Sequence, residues 1–346
     1  MIRSEIKALA AYHVQDSSGL IKLDAMENPY PLPDALRTAL GKHLADVAIN
    51  RYPDADMLAL RTRIAERDGV KPEQVLIGNG SDEIIQMLLL AADAGECVMP
   101  TPTFVMYDLI SRWLKRPVAP VPLNADFSLD ANKFLQVCAR EKASIAFLAC
   151  PNNPTGNMWP EETIRQIAES FRGLLVIDEA YMPFAERNHT NLIGRNVLVL
   201  RTFSKFGWAG LRLGYLLGDA QLIAHLNKVR LPYNINSLTQ AAAEFLLDHT
   251  AVFEKQAADI RTERERVTAA LAAIDPKKVE VFPSQANFVL IRVREAGKVF
   301  DAVKAKGVLI KNLHSTNGLL ANCLRLTIGT PDENNACLAA LKEALA

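Results

Sequence analysis

Residues 196–215 read NVLVLRTFSKFGWAGLRLGY. The run from Val197 to Leu200 is apolar and rich in β-branched residues, as a buried strand requires. It exits into Arg201-Thr202-Phe203-Ser204-Lys205, and a second apolar run starts at Leu213, past the loosening glycines Gly207 and Gly210. A lysine thus stands just beyond a strand end, with a hydroxyl beside it at Ser204 and a guanidinium brought back at Arg212. A lysine that is partly desolvated and near other cations has a lowered pKa and becomes a usable amine nucleophile. Serine and arginine are residue types that bind a phosphate. An isolated lysine at a strand exit is ordinarily a solvated surface group, so the meaning of Lys205 depends on what the other strand ends carry.

Upstream, apolar runs alternate with helical patterns. Strands are expected at 74–78, 96–99, 118–123, 144–150 and 174–177, and helices at 83–92, 105–113, 129–141 and 161–171. Such alternation argues for an α/β fold, a mainly parallel sheet covered by helices on both faces. Ligands of such sheets bind outside the carboxyl ends of the strands. Those ends read Ser81-Asp82, Asn153, Asp178 with Tyr181, and Ser204-Lys205, and right-handed crossovers put them on one edge. Gly78 and Gly80 let a ligand approach the free amides at the start of the helix that follows, an anion site. The run 213–217 follows too short a loop for a crossover helix and is expected to be antiparallel.

Before this region, helices are expected within the first fourteen residues, at 34–48 and at 57–68. Pro29, Pro31 and Pro33 make an extended loop that carries Glu27-Asn28, and Tyr52 sits in a second loop before Pro53. Past Pro232-Tyr233-Asn234-Ile235-Asn236 the pattern shifts to helices at 237–249 and 252–273 and strands at 279–282, 288–293, 308–311 and 323–328. A large unit over 32–236 and a smaller α+β unit over 237–346, joined by 1–31, are therefore expected in a chain of 346 residues. Arg325 is a charge inside an apolar strand pattern, and a structural ion pair and a ligand site are both open for it.

Lys+Arg and Asp+Glu balance at 39 each, which leaves no basic footprint for nucleic acid and no acidic tail. No apolar run approaches membrane-spanning length, and the first residues lack the uncharged core of a signal peptide. The five cysteines show no C-x-x-C spacing and read as buried thiols of a reducing, cytoplasmic compartment. The six histidines (13, 43, 189, 225, 249 and 314) show neither H-x-x-x-H nor H-E-x-x-H, so no metal site is expected.

An acid, an amide, a phenol, a lysine and an anion site at one sheet edge are what pyridoxal phosphate requires. Asp178 can keep the pyridine nitrogen protonated, and Asn153 and Tyr181 can hydrogen-bond the ring oxygen. Tyr107, on the first turn of its helix, is the aromatic available to stack on the ring. Lys205, once released, is placed to move a proton at the substrate α-carbon.

The motifs LDAMENPY, RYPD, GNGSDE, PTFVMY, PNNPTG, DEAY, RTFSK…GLRLGY, PYNIN, SQANFVL and LRLTIGT run nearly the whole length. In these the chain resembles the fold-type I pyridoxal-phosphate aminotransferases of class I/II. Within that class ENPY, RYPD and GNGSDE are similar to the histidinol-phosphate aminotransferases. The resemblance implies that Lys205 is the Schiff-base lysine of a ping-pong transaminase and that Asp178 pairs with the pyridine nitrogen. It implies that Asn153 and Tyr181 bind the ring oxygen and that Tyr107 stacks on the ring. The Ser81 and Asp82 amides, Ser204 and Arg212 would hold the cofactor phosphate. Tyr52 would reach the cofactor of a neighbouring subunit, which implies a homodimer with shared sites. Arg325 would bind the substrate anion, and Glu27 and Asn28 would form the substrate-side loop. Lys205 and Arg212 lie seven positions apart, one fewer than the resemblance leads us to expect.

The leading expectation is transfer of the amino group of L-histidinol phosphate to 2-oxoglutarate in histidine biosynthesis. An aromatic amino-acid aminotransferase and a threonine-phosphate decarboxylase fit the same motifs. A cofactor-binding regulator would carry an added DNA-binding module, for which no basic segment is seen.

Overall fold

A computed structural model describes residues 1–11 and 14–346; Tyr12 and His13 lie outside the described residues. The first sheet has seven strands in the order Val75–Asn79, Leu213–Leu217, Val197–Thr202, Leu174–Asp178, Ile145–Ala149, Cys97–Thr101, Val118–Pro122. Every neighbouring pair is parallel except the two that Leu213–Leu217 makes, which are antiparallel as its short loop requires. The three central strands Ile145–Ala149, Leu174–Asp178 and Val197–Thr202 are buried along almost their whole length, so they read as continuous apolar runs rather than alternating ones.

One face of this sheet packs Phe134, Ile164 and Ile167 against Val98, Leu148 and Ile177. The other face packs Ile84, Leu88 and Ile110 against Phe147, Val176 and Leu198. A further core brings Leu60 and Ile64 onto Val199, Leu213 and Tyr215. Helix Ser237–Leu247 contributes Ala243 and Leu246 to that core, so it packs on the first sheet although the sequence groups it with the C-terminal unit.

The second sheet is antiparallel, in the order Lys311–Asn312, Cys323–Thr327, Phe288–Val293, Val279–Val281. It shares a core with helices Thr250–Ala272, Ala296–Ala305 and Pro331–Ala344. The N-terminal segment joins it: Ile21–Lys22 pairs in parallel with Val308–Leu309, and Thr327 N donates to Leu23 O at 3.0 Å. The run expected as one strand over 308–311 therefore breaks at Ile310, and its halves belong to different sheets.

The expected N-terminal helix amounts to one turn, Ser4–Lys7. Helices Ala220–Leu226, Ala296–Ala305 and Pro331–Ala344 were not expected. Pro331–Ala344 carries a legible start signal: Thr330 and Glu333 form a capping box with Pro331 at the first position. Ala296–Ala305 carries none, since it follows Glu295 in the left-handed region. Among the described residues no helix is long and apolar enough to cross a membrane.

Candidate active site

The strand ends of the first sheet open into a pocket of about 340 Å3, which the N-terminal loop residues Ala25, Met26 and Glu27 also line. Ser81, Asp82, Asn153, Asp178, Tyr181, Ser204, Lys205 and Arg212 all line it, together with Glu27, so the sequence-derived set converges there. Tyr52, Tyr107, Asn28 and Arg325 do not.

At one end helix Ser81–Ala91 begins on Gly80, and no side chain caps its first amides. Gly80 has φ +79, and a Cβ there would come within 2.6 Å of Arg212 Nη2, so only glycine lets the guanidinium lie over this turn. A Cβ at Gly214, on the strand that returns from Arg212, would sit 2.7 Å from the amide nitrogen of Ser81. Arg212 itself holds φ 50 and brings Nη2 to 3.5 Å from Asp82 Oδ2. The short spacing after Lys205 therefore still delivers the arginine to the helix start. Burial raises the Asp82 pKa, against the pull of Arg212 and Lys205, and its Oδ1 is buried without a hydrogen-bond partner.

Lys205 is held by the turn Ser204–Trp208. Phe203 before it and Trp208 after it are buried and stacked on each other at 4.4 Å, so both ends of the turn are anchored in the core. Ser204 N donates to Thr202 Oγ1 at 3.1 Å. The Lys205 ammonium has Ala25 O as a weak partner at 3.5 Å. Burial and the nearby charge of Arg325 bring its pKa down to about 8; Arg212 adds to this, and Glu27 opposes it.

Asp178 ends its strand and is 3% exposed. Its Oδ1 accepts from Ala180 N at 3.0 Å and its Oδ2 from the Tyr107 hydroxyl at 2.5 Å. Burial pushes its pKa up to about 6; the hydrogen bonds from Tyr107 and Ala180 pull it back, while Asp82 and Glu179 add to the rise. Asn153 Nδ2 donates to the Tyr181 hydroxyl at 3.0 Å, and Asn153 Oδ1 accepts from Arg325 Nη1 at 2.5 Å.

Two expectations are corrected. Tyr107 was expected to stack on a bound ring, but it is fully buried beneath the pocket, its own ring stacked on Phe147 at 4.6 Å and its hydroxyl given to Asp178. The aromatic on the pocket wall is Phe104, three residues earlier and edge-on to Tyr107. The signal for Phe104 was its place at the strand end, where the other site residues also lie. Asn28 was expected to face substrate, but its amide nitrogen donates to Gln256 Oε1 at 3.0 Å and Phe206 O at 3.3 Å, and its Oδ1 accepts from Tyr30 N. It ties the N-terminal loop to the lysine turn. Glu27 does line the pocket and pairs with Lys22 at 2.7 Å. Tyr52 is 81% exposed and stacked on Tyr233 at 4.6 Å.

Arg325 lies buried in the second sheet, with Nη2 on Asp24 O at 2.8 Å. Its cross-strand neighbours are Leu290 on one side and Lys311 on the other. Arg325 and Lys311 both line an adjoining cavity of about 530 Å3, which shares Met26, Phe104 and Asn153 with the first. Sequence reading did not single out Lys311, because its meaning comes only from this pairing.

The family model for aminotransferase class I and II matches residues 18–341. The chain belongs to the class I and II aminotransferases. Among this aminotransferase's relatives, histidinol-phosphate aminotransferase 1 of Burkholderia lata is 49% identical over 351 residues, 100% of this chain and 98% of that protein. Histidinol-phosphate aminotransferase 2 of Cupriavidus pinatubonensis is 48% identical, over 100% of this chain and 96% of that protein. Among solved structures, histidinol-phosphate aminotransferase from Sinorhizobium meliloti, in complex with pyridoxal-5'-phosphate, matches with a TM-score of 0.88 at 24% identity. That match covers 99% of this chain and 97% of that one, and it carries the fold.

Proposed function

We propose that this aminotransferase moves the amino group of L-histidinol phosphate to 2-oxoglutarate, giving imidazole-acetol phosphate and L-glutamate in histidine biosynthesis. The observation that carries the substrate is the second cavity. Lys311 and Arg325, paired on adjacent strands and both on the cavity wall, offer an anion seat apart from the one at Ser81 and Arg212. Met26, Leu313 and Leu320 on the same walls suit a flat ring. The names of the relatives at 48–49% identity support the same substrate.

The residues of the first pocket fit pyridoxal phosphate. Uncapped amides at Ser81 and Asp82, with Ser204 and Arg212, suit its phosphate. A buried carboxylate suits its ring nitrogen, and a lysine of lowered pKa suits its carbonyl. When bound, the cofactor supplies a carbonyl that captures the substrate amine and a protonated ring that takes up the electrons released at the α-carbon. Asp178 keeps the ring nitrogen protonated only while ionised, and Tyr107 and the Ala180 amide hold it in that form. Asn153 and Tyr181, already bonded to each other, would offer N–H and O–H groups to the ring oxygen. Phe104, on the pocket wall, would cover one ring face. Lys205, whose pKa of about 8 leaves part of it neutral near neutral pH, would serve as the base that moves the proton at the substrate α-carbon. Glu27 closes the substrate side.

Tyr52 is exposed and would serve the site of a second copy, so the working unit is read as a homodimer; we place the enzyme in the cytoplasm. We divide the chain into a large unit over 32–236 and a small one formed by 1–31 and the C-terminal part, with helix Ser237–Leu247 riding on the large one.

Replacing Lys311 by methionine is expected to raise KM for L-histidinol phosphate about 10-fold with kcat nearly kept, the cost of one charged contact. Steady-state kinetics with glutamate as control substrate checks this; an unchanged KM would remove Lys311 from the anion seat. The substrate itself is tested by mixing holoenzyme with L-histidinol phosphate, L-phenylalanine or L-threonine phosphate, without acceptor, and following the cofactor absorbance. Conversion at low concentration with the first alone is expected. Comparable conversion with phenylalanine, or CO2 release from threonine phosphate, would overturn this reading.

A further inference from the structure

Behind the pocket lies a second group of charges that no step above uses. Glu179 follows Asp178 in sequence, and one of its oxygens accepts from Arg201 Nε at 2.9 Å and Nη2 at 2.7 Å. Its other oxygen accepts from the His189 backbone N–H at 2.6 Å and stands 2.9 Å from His189 Nδ1. Arg201 Nη1 reaches Asp68 Oδ1 at 2.9 Å. The four side chains are between 1% and 4% exposed. Burial opposes the Arg201 charge, but Tyr215, Glu179 and Asp68 around it more than compensate and hold its pKa above the ordinary arginine value.

Such a cluster is a poor way to stabilise a fold, because well-packed apolar side chains do as well or better. Its position suggests another use. Glu179 continues the strand that ends in Asp178, and Glu179 N donates to Leu200 O at 2.8 Å. Arg201 lies in that neighbouring strand, which leads directly into Ser204 and Lys205. The guanidinium therefore fastens the strand end that bears the acid to the strand that delivers the lysine.

The groups that act on Asp178 come from several elements: the Tyr107 hydroxyl from helix Met106–Trp113, the Ala180 amide, the Asp82 carboxylate from helix Ser81–Ala91, and Glu179. The two negative ones each have an arginine, Arg212 on Asp82 and Arg201 on Glu179.

We propose that Arg201, acting through Glu179, is a positioning residue for Asp178: it cancels the negative charge beside that carboxylate and fixes its strand end against the strand leading to Lys205. This rests on the reading of Asp178 as the group that must be ionised to hold the cofactor ring.

The test is the affinity of the apoenzyme for pyridoxal phosphate as a function of pH, with thermal melting of each variant alongside. Wild-type binding is expected to weaken as Asp178 takes up a proton. Glu179→Gln removes a negative charge and is expected to move the midpoint of that loss to lower pH. Arg201→Met takes the guanidinium from Glu179 and Asp68, leaving Glu179 only its contacts with His189, and is expected to move it upward, each by about one pH unit. Arg201→Lys, which keeps the charge, is expected to leave the midpoint in place. Changed melting or uniformly weaker binding with unmoved midpoints would make the cluster merely structural and overturn the proposal, as would shifts of the same sign. Should Arg201→Met fail to fold, the downward shift in Glu179→Gln decides alone. Asp178→Asn separates the two failures: if it keeps the wild-type midpoint, the reading of Asp178 has failed, not the role of Arg201.

Discussion

Lys205→Ala is expected to lose amino-group transfer, with kcat lower by about 10⁴-fold, the upper range for a positioned proton-transfer group. The size follows from the pocket's composition. Lys205 is the one amine on its wall among the described residues, so no other side chain there can both engage the cofactor carbonyl and carry the α-proton. Its pKa of about 8 arises first from burial and then from Arg325. Lys205→Arg keeps the charge and is expected to be equally inactive, because a guanidinium does not give up its proton. The fold is expected to survive, since among the described residues the ammonium has only the weak 3.5 Å contact with Ala25 O. A folded-state lysine pKa below its unfolded value means that the unfolded chain binds more protons between about pH 8 and 10.5. Native stability therefore rises across that window and is lower below it, so the alanine variant should melt at or above the wild-type temperature at pH 7. Single-turnover absorbance and a melting curve check both halves.

Asp178→Asn is expected to lower kcat by roughly 10²–10³-fold, the usual effect of removing a preorganised electrostatic partner. The variant keeps shape and an acceptor for Ala180 N, so the loss reports charge. The same change should stabilise the apoprotein. Asp178 has a pKa of about 6 in the fold against the 3.8 of an ordinary solvated aspartate, so the native state binds more protons between those values. Stability then falls as pH rises from about 4 to 6 and stays lower above it. The burden is up to about 3 kcal/mol at neutral pH. A higher melting temperature for apo Asp178→Asn at pH 7.5, shrinking below pH 5, is the expected result; a lower one would mean that Asp178 is not held ionised against its surroundings.

What was legible in the sequence follows from local physics. Apolar runs broken by glycine or proline fixed the parallel strands, and the ten-residue return from Thr202 to Leu213 made the antiparallel one necessary. Strand-end chemistry located Asp178, Lys205, Asn153 and the Gly80 turn, because each follows a buried run directly. The misplacement of Tyr107 has a geometric cause. Phe104 and Tyr107 flank a helix start three residues apart, and which ring reaches the pocket depends on how that helix is rotated on the sheet. Asn28 could not be read either, since its partners Phe206 and Gln256 lie 178 and 228 positions away. Arg201 and Glu179 sit next to site residues, yet their pairing with each other and with Asp68 depends on register between strands and the packing of a helix.

Everything here depends on Lys205 being the residue that holds the cofactor. The direct measurement is borohydride reduction of the yellow holoenzyme, proteolysis and peptide mass mapping. The expected result is the cofactor's added mass on the peptide containing Lys205, with none in Lys205→Ala. Recovery of that mass on another lysine, or its persistence in the variant, would contradict the site described here.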